Sequence, residues 1–160
     1  MWVVNAANDY KQKAEAKQLY SISPNHCERN EIILGSVTKE ELINVYDSRM
    51  VRVSKNAREI YESLLKSPFG KCPFCGFGHA YTLDHYLPKA KYPQFSVLPF
   101  NLVPSCSDCN LNCKRMTIAT TAEEQILHPY FDHQNFIDDQ WLHAKVIEKT
   151  STSIRFWLNR

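Results

Sequence analysis

The chain has no basic segment followed by an apolar run near its start, and no apolar stretch of the roughly 20 residues that cross a bilayer. Both absences argue against a secretory leader and a membrane helix, and predict a soluble, cytoplasmic protein with no membrane partner. Low-complexity tracts and internal repeats are also lacking. With 44% hydrophobic and 22% charged residues, the composition is that of a globular chain rather than a disordered one. Net charge is scarce too: at +2 it points by itself to no nucleic-acid partner. At 160 residues the chain suffices for one folding unit with appendages.

The distribution of charge says more than its sum. Between Lys71 and Met116, five cations (Lys71, Lys89, Lys91, Lys114, Arg115) face two anions, Asp84 and Asp108. From Thr117 to Arg160, four cations face six anions. The middle is therefore mildly basic, which favours phosphate, although a solvated surface accounts for the same count.

Residues 5–20 are rich in Ala, Lys, Gln and Glu and predict a helix ended by "SPNHC". In "SVTKEELINVYDSRM", Thr38 and Glu41 form a capping box ahead of Leu42, Val45, Tyr46 and Met50 at helical spacing. A further helix is expected after Ser54, with Ala57, Ile60, Tyr61, Leu64 and Leu65 on one face and Pro68–Phe69–Gly70 as its stop. "AYTLDH" and "FSVLPFNLV" have strand composition, and "SCSDCNLNCKRM" opens like a helix. The order predicted there is strand, loop, strand, helix. Farther on, "AEEQIL" predicts a short helix ended at His128–Pro129, and "WLHAKVIEK" and "TSIRFWLN" predict two strands flanking "TST". With Trp157 and Leu158 so near the last residue, the expectation is that an edge of that sheet is either missing or completed by a partner.

Six cysteines without a secretion signal argue against a disulfide framework. Four form two CxxC knuckles, Cys72/Cys75 and Cys106/Cys109, a spacing that lets four thiolates close a tetrahedral shell around Zn²⁺. A closed four-sulfur shell has no position for water, so such a zinc is structural. Thirty residues, Gly76 to Ser105, separate the knuckles, against about 15 to 20 in the simple pattern. Something is inserted. Cys27 and Cys113 read as spare thiols, with Cys113 a poorer competitor for the position of Cys109.

The insertion carries Asp84, His85 and Asn101, and Asn110 follows the second knuckle. These types suit phosphodiester hydrolysis: a neutral imidazole takes a proton from water near pH 7, and a carboxylate and an amide oxygen hold a hard divalent ion. Adjacent strand residues point to opposite faces, so Asp84 and His85 divide their roles only at a strand end. His79 is a runner-up, while His128, His133 and His143 read as structural or exposed. Lys89, Lys91, Lys114 and Arg115 are candidate phosphate contacts, which position a backbone without reading sequence. Tyr86, Tyr92, Phe95 and Phe100 suit a small core better than base stacking.

The combination "CPFC … LDHYLP … FNLVPSCSDCN" resembles the zinc-bound branch of the HNH endonucleases over residues 71–115. The resemblance implies an α+β chain with a ββα-metal core and a structural four-cysteine zinc site, set between a helical N-terminal region and a short C-terminal α/β extension. It implies His85 as the general base, Asp84 and Asn110 as ligands of a catalytic Mg²⁺ or Mn²⁺, Asn101 as the brace that orients His85, and DNA as substrate. The family's Asn is commonly followed by Lys three positions later, whereas Lys114 stands four beyond Asn110. Both steps share a helix face, and Asn112 is a lesser candidate ligand.

The expected layout is 1–68 helical, 69–118 the nuclease module, and 119–160 a helix and strands packed on it. "HPYFD", "WLHAKV" and the helical first third look similar to stand-alone HNH proteins of bacterial anti-phage systems. Some of those, such as the Septu type, work beside an ATPase, and oligomers are common among enzymes cutting both strands. The rival expectation is a nonenzymatic zinc module that binds nucleic acid or protein. It needs the cysteines but not Asp84, His85, Asn101 and Asn110 together.

Overall fold

The structure is a computed structural model that describes residues 2–51, 55–66, 70–113, 118–132, 142–147 and 153–158. It is α+β: among the described residues, helices combine with three small antiparallel strand pairs.

Helix α1 spans Trp2–Glu15 and a 3₁₀ turn follows at Leu19–Ser21. The expected single helix over 5–20 is therefore shorter and shifted towards the N-terminus, because the chain leaves the helix at Lys17, which takes a positive φ of 58°. A hairpin absent from the sequence reading follows, β1 (Ile32–Leu34) with β2 (Val37–Thr38). The capping box forms: Thr38 Oγ1 accepts from the Glu41 N–H, and the Glu41 carboxylate accepts from the Thr38 N–H. It starts α2 (Lys39–Val45), which continues into a π-helical turn at Tyr46–Val51. Helix α3 spans Lys55–Leu65; Ser54, Pro68 and Phe69 lie outside the described residues. Tyr61 of α3 is buried and Ala57, Leu64 and Leu65 pack beside it, but Ile60 is exposed, contrary to its place on the expected face.

The central pair is β3 (Thr82–His85) with β4 (Leu102–Ser105), in the register Thr82↔Ser105, Leu83↔Pro104, Asp84↔Val103 and His85↔Leu102. Only the last part of "FSVLPFNLV" is strand. Pro93 and Pro99, which lack an N–H for the ladder, instead open 3₁₀ turns at Pro93–Phe95 and Pro99–Asn101. A π-helical segment, Asp108–Cys113, follows β4, which completes the strand, loop, strand, helix order. "AEEQIL" forms no helix: residues 122–124 make a turn and 125–128 are irregular. The single Gln125 N–H to Ala122 carbonyl bond does not propagate. The last two elements, β5 (Leu142–Ile147) and β6 (Ser153–Leu158), pair antiparallel as expected; "TST" lies outside the described residues.

Residues paired across an antiparallel ladder share a face, so Leu83, His85, Leu102 and Pro104 occupy one side of the central pair and Thr82, Asp84, Val103 and Ser105 the other. Apolar residues build a cluster on each side. Tyr46, Met50 and Tyr61 pack with Leu83 and Leu102. Tyr10, Ala14, Leu19 and Ile22 pack with Tyr86, Leu87, Tyr92, Phe95 and Val103. The Tyr10 and Phe95 rings meet edge to face at 5.0 Å, a geometry worth about 0.5–1.5 kcal/mol beyond the area it buries. Tyr86, Tyr92 and Phe95 are thus core, while Phe100 is exposed at 40%. Among the described residues no helix is long and apolar enough to cross a membrane.

Candidate metal centre and adjoining polar cluster

The sulfurs of Cys72, Cys75, Cys106 and Cys109 all lie within 4.8 Å of one another. Cys75 Sγ and Cys106 Sγ are 3.9 Å apart, close to the edge of about 3.8 Å that a tetrahedron with 2.3 Å Zn–S bonds requires. The four cysteines fit a structural ion such as zinc. Each knuckle also supplies N–H donors to sulfur, Gly78 to Cys75 at 3.4 Å and Cys109 to Cys106 at 3.5 Å. Backbone bonds from Gly78 and Phe77 hold the Cys75 thiol down at about 7, in the range where it ionises readily for a metal. Burial pushes the Cys109 thiol up, and its neighbouring thiols add to that.

Two glycines shape the first knuckle. Gly76 turns it with φ +69°, and its N–H bonds the Cys72 carbonyl at 2.7 Å. Gly78 passes so close to the sulfurs that a Cβ there would sit 2.9 Å from Cys106 Cβ and 3.0 Å from its Sγ. The clasp joins the start of β3 to the end of β4, with the Cys72 N–H on the Gly78 carbonyl at 2.7 Å. His79 lies outside it, exposed, its ring 5.9 Å from that of Tyr81.

Asp84 and His85 end β3 on opposite faces. His85 Nε2 lies 2.8 Å from the Ser96 carbonyl. A carbonyl only accepts, so Nε2 carries the hydrogen and Nδ1 is the basic nitrogen of a neutral ring. The Tyr46 ring stands edge-on to that imidazole at 4.5 Å. Its hydroxyl donates to the Leu83 carbonyl at 3.3 Å, and burial raises its pKa far beyond use as an acid near neutrality. Tyr46 packs the histidine rather than exchanging protons with it.

Asn110 Nδ2 donates to Thr82 Oγ1 at 3.0 Å. That bond turns the amide oxygen, the ligand end, away from Thr82. Thr82 and Asp84 share a strand face two steps apart, about 7 Å along the chain. A carboxylate and an amide oxygen are donor types that a hard ion takes. Among the described residues the four cysteines are the sole group of three or more His, Cys, Asp or Glu side chains set closely enough to hold an ion.

Asn101 is fully buried, and its amide spans the loop between the two strands. Its Oδ1 accepts from the Leu87 N–H at 2.7 Å and the Tyr10 hydroxyl at 3.2 Å. Its Nδ2 donates to the carbonyls of Leu87 at 3.0 Å and Phe95 at 3.1 Å. The brace therefore acts on the backbone on both sides of the loop, and reaches His85 through that loop.

The sequence reading missed what surrounds this brace. Buried His128 accepts the Tyr130 N–H on Nδ1 at 3.3 Å and faces the Tyr10 hydroxyl with Nε2 at 3.0 Å. A chain of hydrogen bonds therefore runs from His128 through Tyr10 to Asn101, and "HPYFD" is a structural support. Ser96 and Asp47 were also missed, since a serine and a helical aspartate carry no motif. Lys89 Nζ is held by Asp47 Oδ2 at 2.7 Å and sits 4.8 Å above the Tyr46 ring. Lys91 is half-buried, its carbonyl accepting the Asn25 N–H at 2.7 Å. Lys114 and Arg115, like His133, lie outside the described residues, and so do the side chains of Asn112 and Cys113. His143 is half-buried against Trp157.

No protein-family model matches this chain. No solved structure matches it either. Protein ea31 of Escherichia phage lambda is 38% identical over 151 residues, which cover 93% of this chain and 51% of that protein. The chain thus spans about half the length of the curated relative it matches.

Proposed function

We propose that this chain is a metal-dependent endonuclease of the HNH type that hydrolyses phosphodiester bonds in DNA. The observation that carries the reading is the pairing of His85 Nε2 with the Ser96 carbonyl at 2.8 Å, which makes Nε2 the N–H end, so that Nδ1 is the base whenever the ring is neutral. That is the state a group needs to take a proton from an attacking water near pH 7. The order of the surrounding elements supports it: two strands and a helical segment, with one strand ending in Asp84–His85 and the helical segment presenting Asn110 beside the same strand.

In the proposed reaction His85 Nδ1 receives the water proton while Ser96 keeps the ring aligned. Asp84 and Asn110 would hold a catalytic Mg²⁺ or Mn²⁺. When bound, that ion supplies charge stabilisation at the scissile phosphate and the leaving 3′ oxygen. Asn101 maintains the loop that carries Ser96, and the four-cysteine clasp keeps the strands in register. Lys91, and Lys89 once exchanged from Asp47, would contact the phosphate backbone, with Lys114 and Arg115 as further contacts. The narrower reading, an anti-phage nuclease working beside an ATPase in the cytoplasm, rests on the resemblance alone.

The test is cleavage of supercoiled plasmid by zinc-loaded protein in Mg²⁺, Mn²⁺ or EDTA. Cutting that needs the added ion while zinc stays bound supports the reading. A protein that binds DNA but cuts it under none of these conditions is the nonenzymatic zinc module instead.

A further inference from the structure

The β5–β6 ribbon is sorted by its register. Lys145 lies opposite Arg155 and His143 opposite Trp157, whereas Ala144 lies opposite Phe156 and Val146 opposite Ile154. Opposed residues share a face and successive pairs alternate, so one face is cationic and aromatic and the other apolar.

Two features of the first face point to a ligand. Like charges set directly across a strand pair destabilise it, and among the described residues no carboxylate lies within ion-pair distance of Lys145 or Arg155. An anion between them would relieve that repulsion. Beside them the His143 and Trp157 rings stack, centroids 5.4 Å apart and planes 15° from parallel, with Trp157 exposed at 43%. Paired cations next to a flat exposed aromatic form the arrangement that takes a phosphate and a base together, and a two-stranded ribbon is narrow enough for the major groove. The charge tally over 117–160 is net negative and hides this face, since a sum over a segment does not sort residues by strand face.

We propose that the face bearing His143, Lys145, Arg155 and Trp157 is a second nucleic-acid contact, which anchors the substrate away from the zinc-clasped strands. It rests on the nuclease reading.

The test uses the full chain carrying His85→Ala, so that bound DNA stays intact, with and without Lys145→Gln and Arg155→Gln together. Binding of a fluorescent duplex is followed against salt, with polyglutamate as the acidic-polypeptide probe. The double substitution should weaken duplex binding and lower the salt slope by about two, one for each lost phosphate contact. Zinc content should stay constant, and Lys145→Arg with Arg155→Lys should restore binding. Unchanged affinity and slope would overturn the inference, as would polyglutamate binding that depends on the two residues more strongly than DNA binding does. With His85 intact, plasmid cutting separates the two failures: a chain that cuts but ignores the double substitution loses only the ribbon site, whereas one that neither binds nor cuts loses both readings.

Discussion

Ser96 holds His85 to a helix that precedes it by some forty residues: the Ser96 carbonyl accepts from His85 Nε2 at 2.8 Å, and the Ser96 hydroxyl donates to the Leu42 carbonyl at 2.7 Å. Ser96 is buried. Ser96→Ala leaves the Leu42 carbonyl without that donor, at a cost of about 1–3 kcal/mol. If the carbonyl moves with it, kcat should fall while KM holds, because alignment of the base affects the transition state alone. Urea denaturation and steady-state cleavage would measure the two effects separately.

Gly78→Ala should loosen the metal. A Cβ at 2.9 Å from Cys106 Cβ and 3.0 Å from its sulfur forces a ligand to shift. Zinc affinity should drop by about 10–100-fold, the range typical of damage just outside a ligand shell. Competition with a chromogenic chelator would show it. Gly78 has no positive φ, so its substitution tests crowding alone, whereas Gly70→Ala, where φ is positive and nothing lies within 4 Å, reports backbone strain alone.

Asn101→Ala removes four bonds at a fully buried position and orphans both polar groups of Leu87. Stability should fall by about 3 kcal/mol or more, since each stranded group costs about 1–3 kcal/mol. Tyr10→Phe cuts the link between Asn101 and His128 while keeping the ring, and should cost about 1 kcal/mol. Thermal melts of both variants, zinc-loaded, would rank them.

Asp47→Asn should leave stability almost unchanged, because a pair this exposed contributes about 0–1 kcal/mol. It releases the Lys89 ammonium beside the Tyr46 ring. DNA binding should tighten and its salt slope steepen by about one. An unchanged slope in fluorescence anisotropy would mean that Lys89 never meets phosphate.

Much of this site was legible because its signals are local. The two CxxC pairs converge, Thr38 and Glu41 cap α2, and "AYTLDH" ends a strand at His85. What failed depended on context. Pro99 opens a 3₁₀ turn inside an expected strand, of which only Leu102 and Val103 join the ladder, and "AEEQIL" has helical composition but only one turn's worth of bonding. The supports contributed by Ser96, Asp47 and His128 could not be read, since each acts through a partner some forty or more residues distant in the chain.

The most direct measurement compares His85→Ala with the unmodified chain, both zinc-loaded, in plasmid cleavage with Mg²⁺ or Mn²⁺. The account predicts that the substitution abolishes cutting while zinc content and DNA binding are retained. Equal cutting by both proteins would contradict it.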